Sequence, residues 1–442
     1  MLGLTSSITM RCGSPLYVQL ALLMAPVTGV IVQPTLFGLR PSGTTAKSRH
    51  ARLVCTEDMV LHVERQKWVD PNPGSGRTVC ESLQSRLLLS EPELKKLVLR
   101  LPPVLGLSFE ANIEPKLAAL QSRLSLSEPE LKRVLLGMPP LLGLSFEDNI
   151  EPKLTALQSR LLLSEPELKK VVLRIPSVLG LSFESNIEPK LASLQSRLSL
   201  SEPELKKLML RFPQVVGLNY ESNIEPKLAA LQARLSLSEP ELKKVVLLCP
   251  QMFGLSFEGN IEPLFVALQS SLMLSEPELK KVVVRLPQVI GYSFEDNIAP
   301  SLAKLQSRLS LSVPELKKVV LALPAVLGYS FKLNIGPKLV FFEKAFRLAP
   351  GELRDRVLTN PSLLSYSLEL RYRPRVALAS ALGVVGSLEA LRPAGGYTDA
   401  QFMARLRKKK RVGVTDADWD TLCALPLDER ADKVKGRRRS AK

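Results

Sequence analysis

Histidine is nearly absent. The 442-residue chain has two, His50 and His62, which removes the commonest metal ligand and the commonest general base. Cysteine is scarce as well, at five and with no Cys-x-x-Cys pair, so neither a disulfide framework nor a zinc module is expected. Aromatic residues make up 5% of the chain, too few for a platform on which successive bases stack. No glycine-rich phosphate loop and no nucleophile elbow occurs. Catalysis, a metal, a cofactor and a small-molecule substrate are therefore not expected.

What the chain does have is a period. The phrase Ser-Glu-Pro-Glu-Leu-Lys-Lys begins at Ser90, and close copies begin at Ser127, Ser164, Ser201, Ser238, Ser275 and Ser312, in steps of 37 residues. A worn eighth copy runs from Ala349 to Leu353. A fixed period of this size predicts an all-α solenoid, in which each unit buries its apolar face against its neighbours. Such an array offers a long surface and seldom a closed pocket, so binding is expected rather than chemistry.

Within the first unit, Ser90 and Glu93 have the spacing of a capping box. Leu94, Leu97, Val98 and Leu101 follow at the spacing of one helix face. Pro102 ends that helix, because the residue before proline is pushed out of the α region. It recurs as Pro139, Pro176, Pro213, Pro250, Pro287, Pro324 and Pro361. A short turn follows in which Gly106 is expected to take a left-handed conformation. Asn112 is expected to cap a second helix, with Pro115 in its first turn and Ile113, Leu117, Leu120 and Leu124 on its inner face. Cys249 falls at the position of Leu101 and reads as a core residue.

These residues resemble the mitochondrial transcription termination factor family, mTERF. The similarity lies in Leu-Pro-x-Val-Leu-Gly-Leu-Ser followed by Asn-Ile-x-Pro-Lys-Leu. It extends to a closing segment with Arg371-Tyr-Arg-Pro-Arg375, Leu382-Gly383 and Thr398-Asp-Ala-Gln-Phe402, and covers about residues 83–411. The resemblance implies a curved all-α superhelix, an organellar location, nucleic-acid binding and a role in organellar gene expression. Nucleic acid is the expected partner, duplex DNA before RNA, with organellar transcription or ribosome-assembly proteins as further candidates. A protein-binding scaffold is the alternative.

The expected organisation is a targeting segment (1–56), a linker with a partial repeat start (57–82), the solenoid (83–375), a C-terminal capping segment (376–411) and a basic tail (412–442). No acidic residue precedes Glu57, and Leu16 to Val32 carries no charge. An apolar core followed by a basic, hydroxyl-rich stretch has the form of a two-part plastid address, with a mitochondrial presequence or a retained anchor as alternatives.

Net charge is +17, unevenly placed: residues 81–342 hold 31 basic and 27 acidic side chains, residues 343–442 hold 21 and 12. Four pairs on the second helix, Lys116/Arg123, Lys153/Arg160, Lys190/Arg197 and Lys227/Arg234, would align into a basic stripe suited to phosphates. A solvated face of ion pairs is the competing reading. On the first helix, Lys95, Lys96 and Arg100 lie near Glu93, so local neutralisation is expected. The stronger signal is C-terminal: Arg371, Arg373 and Arg375, then Arg405, Arg407 and Lys408, then the tail.

Overall fold

A computed structural model describes residues 75–381 and 398–409, with short stretches at 52–54, 60–62, 419–420 and 424–425. The chain divides into two compact units, 1–50 and 51–442. The targeting segment up to residue 51, its apolar run Leu16 to Val32, residues 382–397 and the tail from Lys433 lie outside the described residues. Two short strands, Arg52–Val54 and Val60–His62, pair antiparallel with Arg52 opposite His62. Everything described beyond them is helical or turn.

The repeats are built as the periodicity requires. In the first, a helix spans Glu91–Arg100, a 3₁₀ segment Pro102–Gly106, a π turn Phe109–Ile113 and a second helix Glu114–Leu124. The same four elements recur through Arg373–Ala381, and each 3₁₀ segment starts at a proline of the Pro102 series. The incomplete unit upstream contributes a helix from Ser75 to Leu87, so helix begins within the segment assigned to the linker and partial repeat start. Each repeat buries about ten apolar side chains. In the first they are Leu94, Leu97, Val98, Val104, Leu105, Ile113, Leu117, Leu120, Leu124 and Leu126. At roughly 1.5–3 kcal/mol per buried aliphatic side chain, this continuous core is the main source of stability. Cys249 belongs to it.

Asn112 is not the cap. Ser108 is: its Oγ accepts from the Ala111 N–H at 3.1 Å. The chain then turns through the wider π register, with the Ile113 N–H donating to the Ser108 carbonyl. Pro115 explains the width. A proline ring clashes with the carbonyl four residues back, and a local π turn beside it opens that space.

The left-handed position also differs from expectation. No glycine of the Gly106 series for which a side-chain environment is described has a positive φ. The left-handed residues are Leu88, Ser125, Leu162, Ser199, Ser236, Met273, Ser310 and Arg347, all at the end of the second helix. There the N–H of the following residue donates five residues back, as from Leu126 to the Gln121 carbonyl at 2.9 Å. That following leucine is buried in the repeats from Leu89 to Leu311, so the turn pins the next repeat onto the core. The geometry favours glycine, yet no copy has one.

Leu162 has φ 49° and is 70% exposed, so it carries strain without burying its side chain. Leu162→Gly is expected to stabilise the protein by about 1 kcal/mol, after the entropy cost of glycine. The urea midpoint checks this; a lower midpoint would contradict the assignment of strain.

Candidate nucleic-acid interface

The second-helix cations do not form a row of unengaged charges. Arg123 reaches forward into the next repeat. Its Nε donates to both oxygens of Glu151 at 3.0 and 2.9 Å. One terminal nitrogen donates to Gln158 at 2.8 Å and the other to Glu165 at 2.6 Å. Gln158 in turn donates to Glu165, closing the cluster. Arg86, Arg160, Arg197 and Arg234 build the same arrangement.

The lysines of these pairs are clamps. Lys116 Nζ donates to the Leu142 carbonyl of the next repeat at 3.0 Å and to Asn112 Oδ1 at 2.8 Å. Lys153, Lys190 and Lys227 donate to the carbonyls of Leu179, Val216 and Phe253. Burial pushes Lys116, Lys190 and Lys227 below the ordinary ammonium value, partly offset by Glu147, Glu221 and Glu258. Lys338 is the extreme: it is 3% exposed, bonded to Asn334 and the Leu364 carbonyl, and lowered by burial to about 8. Asn112, read as a helix cap, serves instead as a lysine acceptor.

The first-helix cations split by position. Lys132 reaches back one repeat to Glu93 at 2.8 Å and further back to the Leu88 carbonyl at 2.9 Å. Lys169, Lys206, Lys243, Lys280 and Lys317 do likewise. The neutralisation of Glu93 is thus between repeats, not local. The cation one place on is exposed in every repeat from Lys96 through Arg133, Lys170, Lys207, Lys244 and Lys281 to Lys318. Among the described residues these seven have no ion-pair or hydrogen-bond partner. The row ends at Asp355, the eighth equivalent. Sequence reasoning missed it because adjacent lysines look alike until the partner repeat is in place.

At the C-terminal end the three arginines part company. Arg371 lies over the Tyr366 ring at 4.7 Å and is half-buried. Arg373 is exposed, bonded to Glu369 at 2.8 Å and set over Phe341. Arg375 is 1% exposed and lies 4.8 Å from the Phe402 ring centroid. It therefore joins the last repeat to a second core made by Leu378, Phe402, Met403, Leu406 and Trp419, and its guanidinium does not reach the surface. Arg405, Arg407 and Lys408 are exposed on the helix Asp399–Lys409.

No group of three or more metal-ligating side chains comes together among the described residues, and no described helix is long and apolar enough to cross a membrane. The stacked helix pairs, joined by charge clusters and edged by an exposed row of cations, define a helical-repeat solenoid. The chain belongs to the mTERF family, whose model matches residues 90–391. Members are organellar and bind nucleic acid. Among curated proteins, none matches the chain.

The carboxylates record how tightly the repeats are tied. The Lys132 ammonium, with the Ser90 N–H and hydroxyl, holds Glu93 at about 2, against an ordinary 4.5. Glu130, Glu167, Glu204 and Glu278 sit at about 2 for the same reason. A carboxyl whose value is depressed by folding stabilises the fold above its unfolded value and ceases to as pH falls through the folded one. Stability is therefore expected to hold from neutral pH down to about 4.5 and to be lost progressively toward about 2. Denaturation midpoints by circular dichroism across that range check this. A midpoint that stays flat through it would show that the carboxylates are not coupled to folding.

Proposed function

We propose that the chain regulates organellar gene expression by lying along a nucleic-acid duplex, DNA in preference to RNA, and affecting transcription or its termination. The observation that carries this reading is the exposed row from Lys96 to Lys318. Evenly spaced free cations displace counterions from a phosphate backbone. The other faces of the array are less suited. Glu110 and its equivalents through Glu295 are exposed at the π turns, where they would repel phosphate. The row repeats one chemistry at each step, which favours affinity without base choice. Arg373, Arg405, Arg407 and Lys408 extend the basic surface at the C-terminal end. The engaged residues Lys116, Arg123, Lys153, Arg160, Lys190, Arg197, Lys227 and Arg234 would act by fixing the spacing of the row, and Arg371 and Arg375 by holding the closing segment. RNA maturation fits the same surface if the duplex is RNA.

A second reading, the protein scaffold, is favoured by one observation. Leu333 and Leu370 occupy equivalent positions in successive repeats and are 81% and 82% exposed, where earlier repeats have small or acidic residues. Organellar transcription or ribosome-assembly proteins are the partners that reading would take.

Lys170→Glu, Lys207→Glu and Lys244→Glu together are expected to lower the slope of log affinity against log salt by about 2.7, at roughly 0.9 per phosphate contact with B-form DNA. Fluorescence anisotropy with duplex DNA at several salt concentrations measures it. An unchanged slope would remove the row as the reader, and failure of any nucleic acid to bind would leave the scaffold.

The plastid is the first proposed destination and the mitochondrion the second, on the acid-free composition of residues 1–56. That segment fused to a fluorescent reporter is expected to carry it into the organelle; a cytosolic or secreted reporter would contradict this.

A further inference from the structure

Where repeats are nearly identical, departures that converge on one place carry information. A cavity of about 380 Å³ lies between the repeats that begin at Ser275 and Ser312. Ser301 lines it, at the position held by the clamp lysines Lys116, Lys153, Lys190 and Lys227. Leu327 lines it too, and its carbonyl is the equivalent of the Leu142 carbonyl that accepts such a clamp. The clamp is therefore missing at this interface, and the cavity is lined both by the residue that replaces its lysine and by the residue whose carbonyl it would reach.

Three further linings are exchanged. Lys332 stands where the other seven copies, from Glu110 to Glu369, have glutamate. Lys304 stands where the earlier copies have alanine or serine, as at Ala119 and Ser193. Tyr292 and Tyr329 replace the leucine of the first five copies. Elsewhere the clamp lysine faces a glutamate, as Lys190 faces Glu221; here Ser301 faces Lys332. The exchanges leave this interface two charges more positive than a standard one. Neither Lys304 nor Lys332 has an ion-pair partner among the described residues, and the one lining carboxylate, Asp296, accepts from Ser293 Oγ at 2.8 Å. Gly328 makes room for the aromatic wall, because a Cβ there would come 2.8 Å from the Tyr292 hydroxyl. Behind the other wall, Lys338 Nζ lies 5.5 Å from the Tyr329 ring centroid.

We infer that this groove binds a small phosphate monoester carrying a planar ring, of the size of a nucleoside monophosphate. Lys304 and Lys332 supply point charges for the phosphate. Tyr292 and Tyr329 supply ring faces and hydroxyls for the planar group. The volume falls within the roughly 300–1,000 Å³ common to small-molecule sites. The site binds and does not transform its ligand, and no residue of the exposed row lines it.

Isothermal titration of the full chain with AMP, adenosine and inorganic phosphate tests this. AMP is expected to bind at one site per chain, at least about tenfold more tightly than either fragment. Ser301→Lys, which restores the clamp, and Lys332→Glu, which restores the usual acid, should each weaken AMP by about tenfold or more. Each returns its position to the residue that most copies carry, so both should keep the wild-type thermal midpoint or raise it. Lys170→Glu, on the exposed row, should leave AMP binding unchanged while weakening duplex DNA. No saturable AMP binding, unaltered binding in Ser301→Lys, or equal loss in Lys170→Glu would each overturn the proposal.

Discussion

The arginine near the end of most second helices is the constraint on which the array depends. The leucine core gives every repeat a reason to stack, but apolar packing is non-directional and would tolerate sliding. The guanidinium is not tolerant. Arg123 engages Glu151, Gln158 and Glu165 at three separate nitrogens, and its planar fork accepts one arrangement of those partners. Glu151 and Gln158 belong to the next repeat and Glu165 opens the one after it, so the cluster fixes the step from one unit to the next. The clamp lysines and the backward-reaching lysines add ties on other faces of the same junction.

The places where the cluster is lost support this account. Ser271 replaces the arginine, and its first partner is lost with it, since Ala299 stands where the glutamate should be. At the next junction Gly336 and Pro350 replace both glutamates, while the glutamine position becomes Glu343, and Arg308 pairs with it. Removing one partner alone would leave a half-buried charge uncompensated, which costs more than losing both. The pattern is expected of a structural tie and has no reason to arise in a row of independent phosphate ligands.

Much of this fold was legible in the chain. The period, the proline stops, the leucine faces and the core position of Cys249 follow from spacing alone, because each reflects contacts inside one helix or the geometry of one residue. The misreadings share a cause. Asn112 resembles a helix cap, but the proline three residues on demands a wider turn, and the cap moves back to Ser108. Gly106 resembles a left-handed turn residue, but the turn is made by Ser125 and its equivalents, where no glycine signals it. Lys116 and Arg123 look like solvent-facing cations because their partners lie 26 to 42 residues away, outside the unit being read. The paired losses at Ser271 and Ala299 were the signal available in the sequence. Arg375 could not be placed without Phe402, which arrives from a separate segment.

The division of labour follows from charge already spent. Cations tied to carboxylates or carbonyls of neighbouring repeats are committed to spacing, and the exposed cations from Lys96 to Lys318 carry no such tie. Arg160→Met tests this most directly, because it keeps the apolar stem and removes the charge. Urea unfolding and the salt dependence of duplex binding, measured on the same preparation, should give a lower midpoint and an unchanged salt slope. A wild-type midpoint with a shallower slope would mean that Arg160 meets phosphate, and the account of the second-helix cations as structural ties would be wrong.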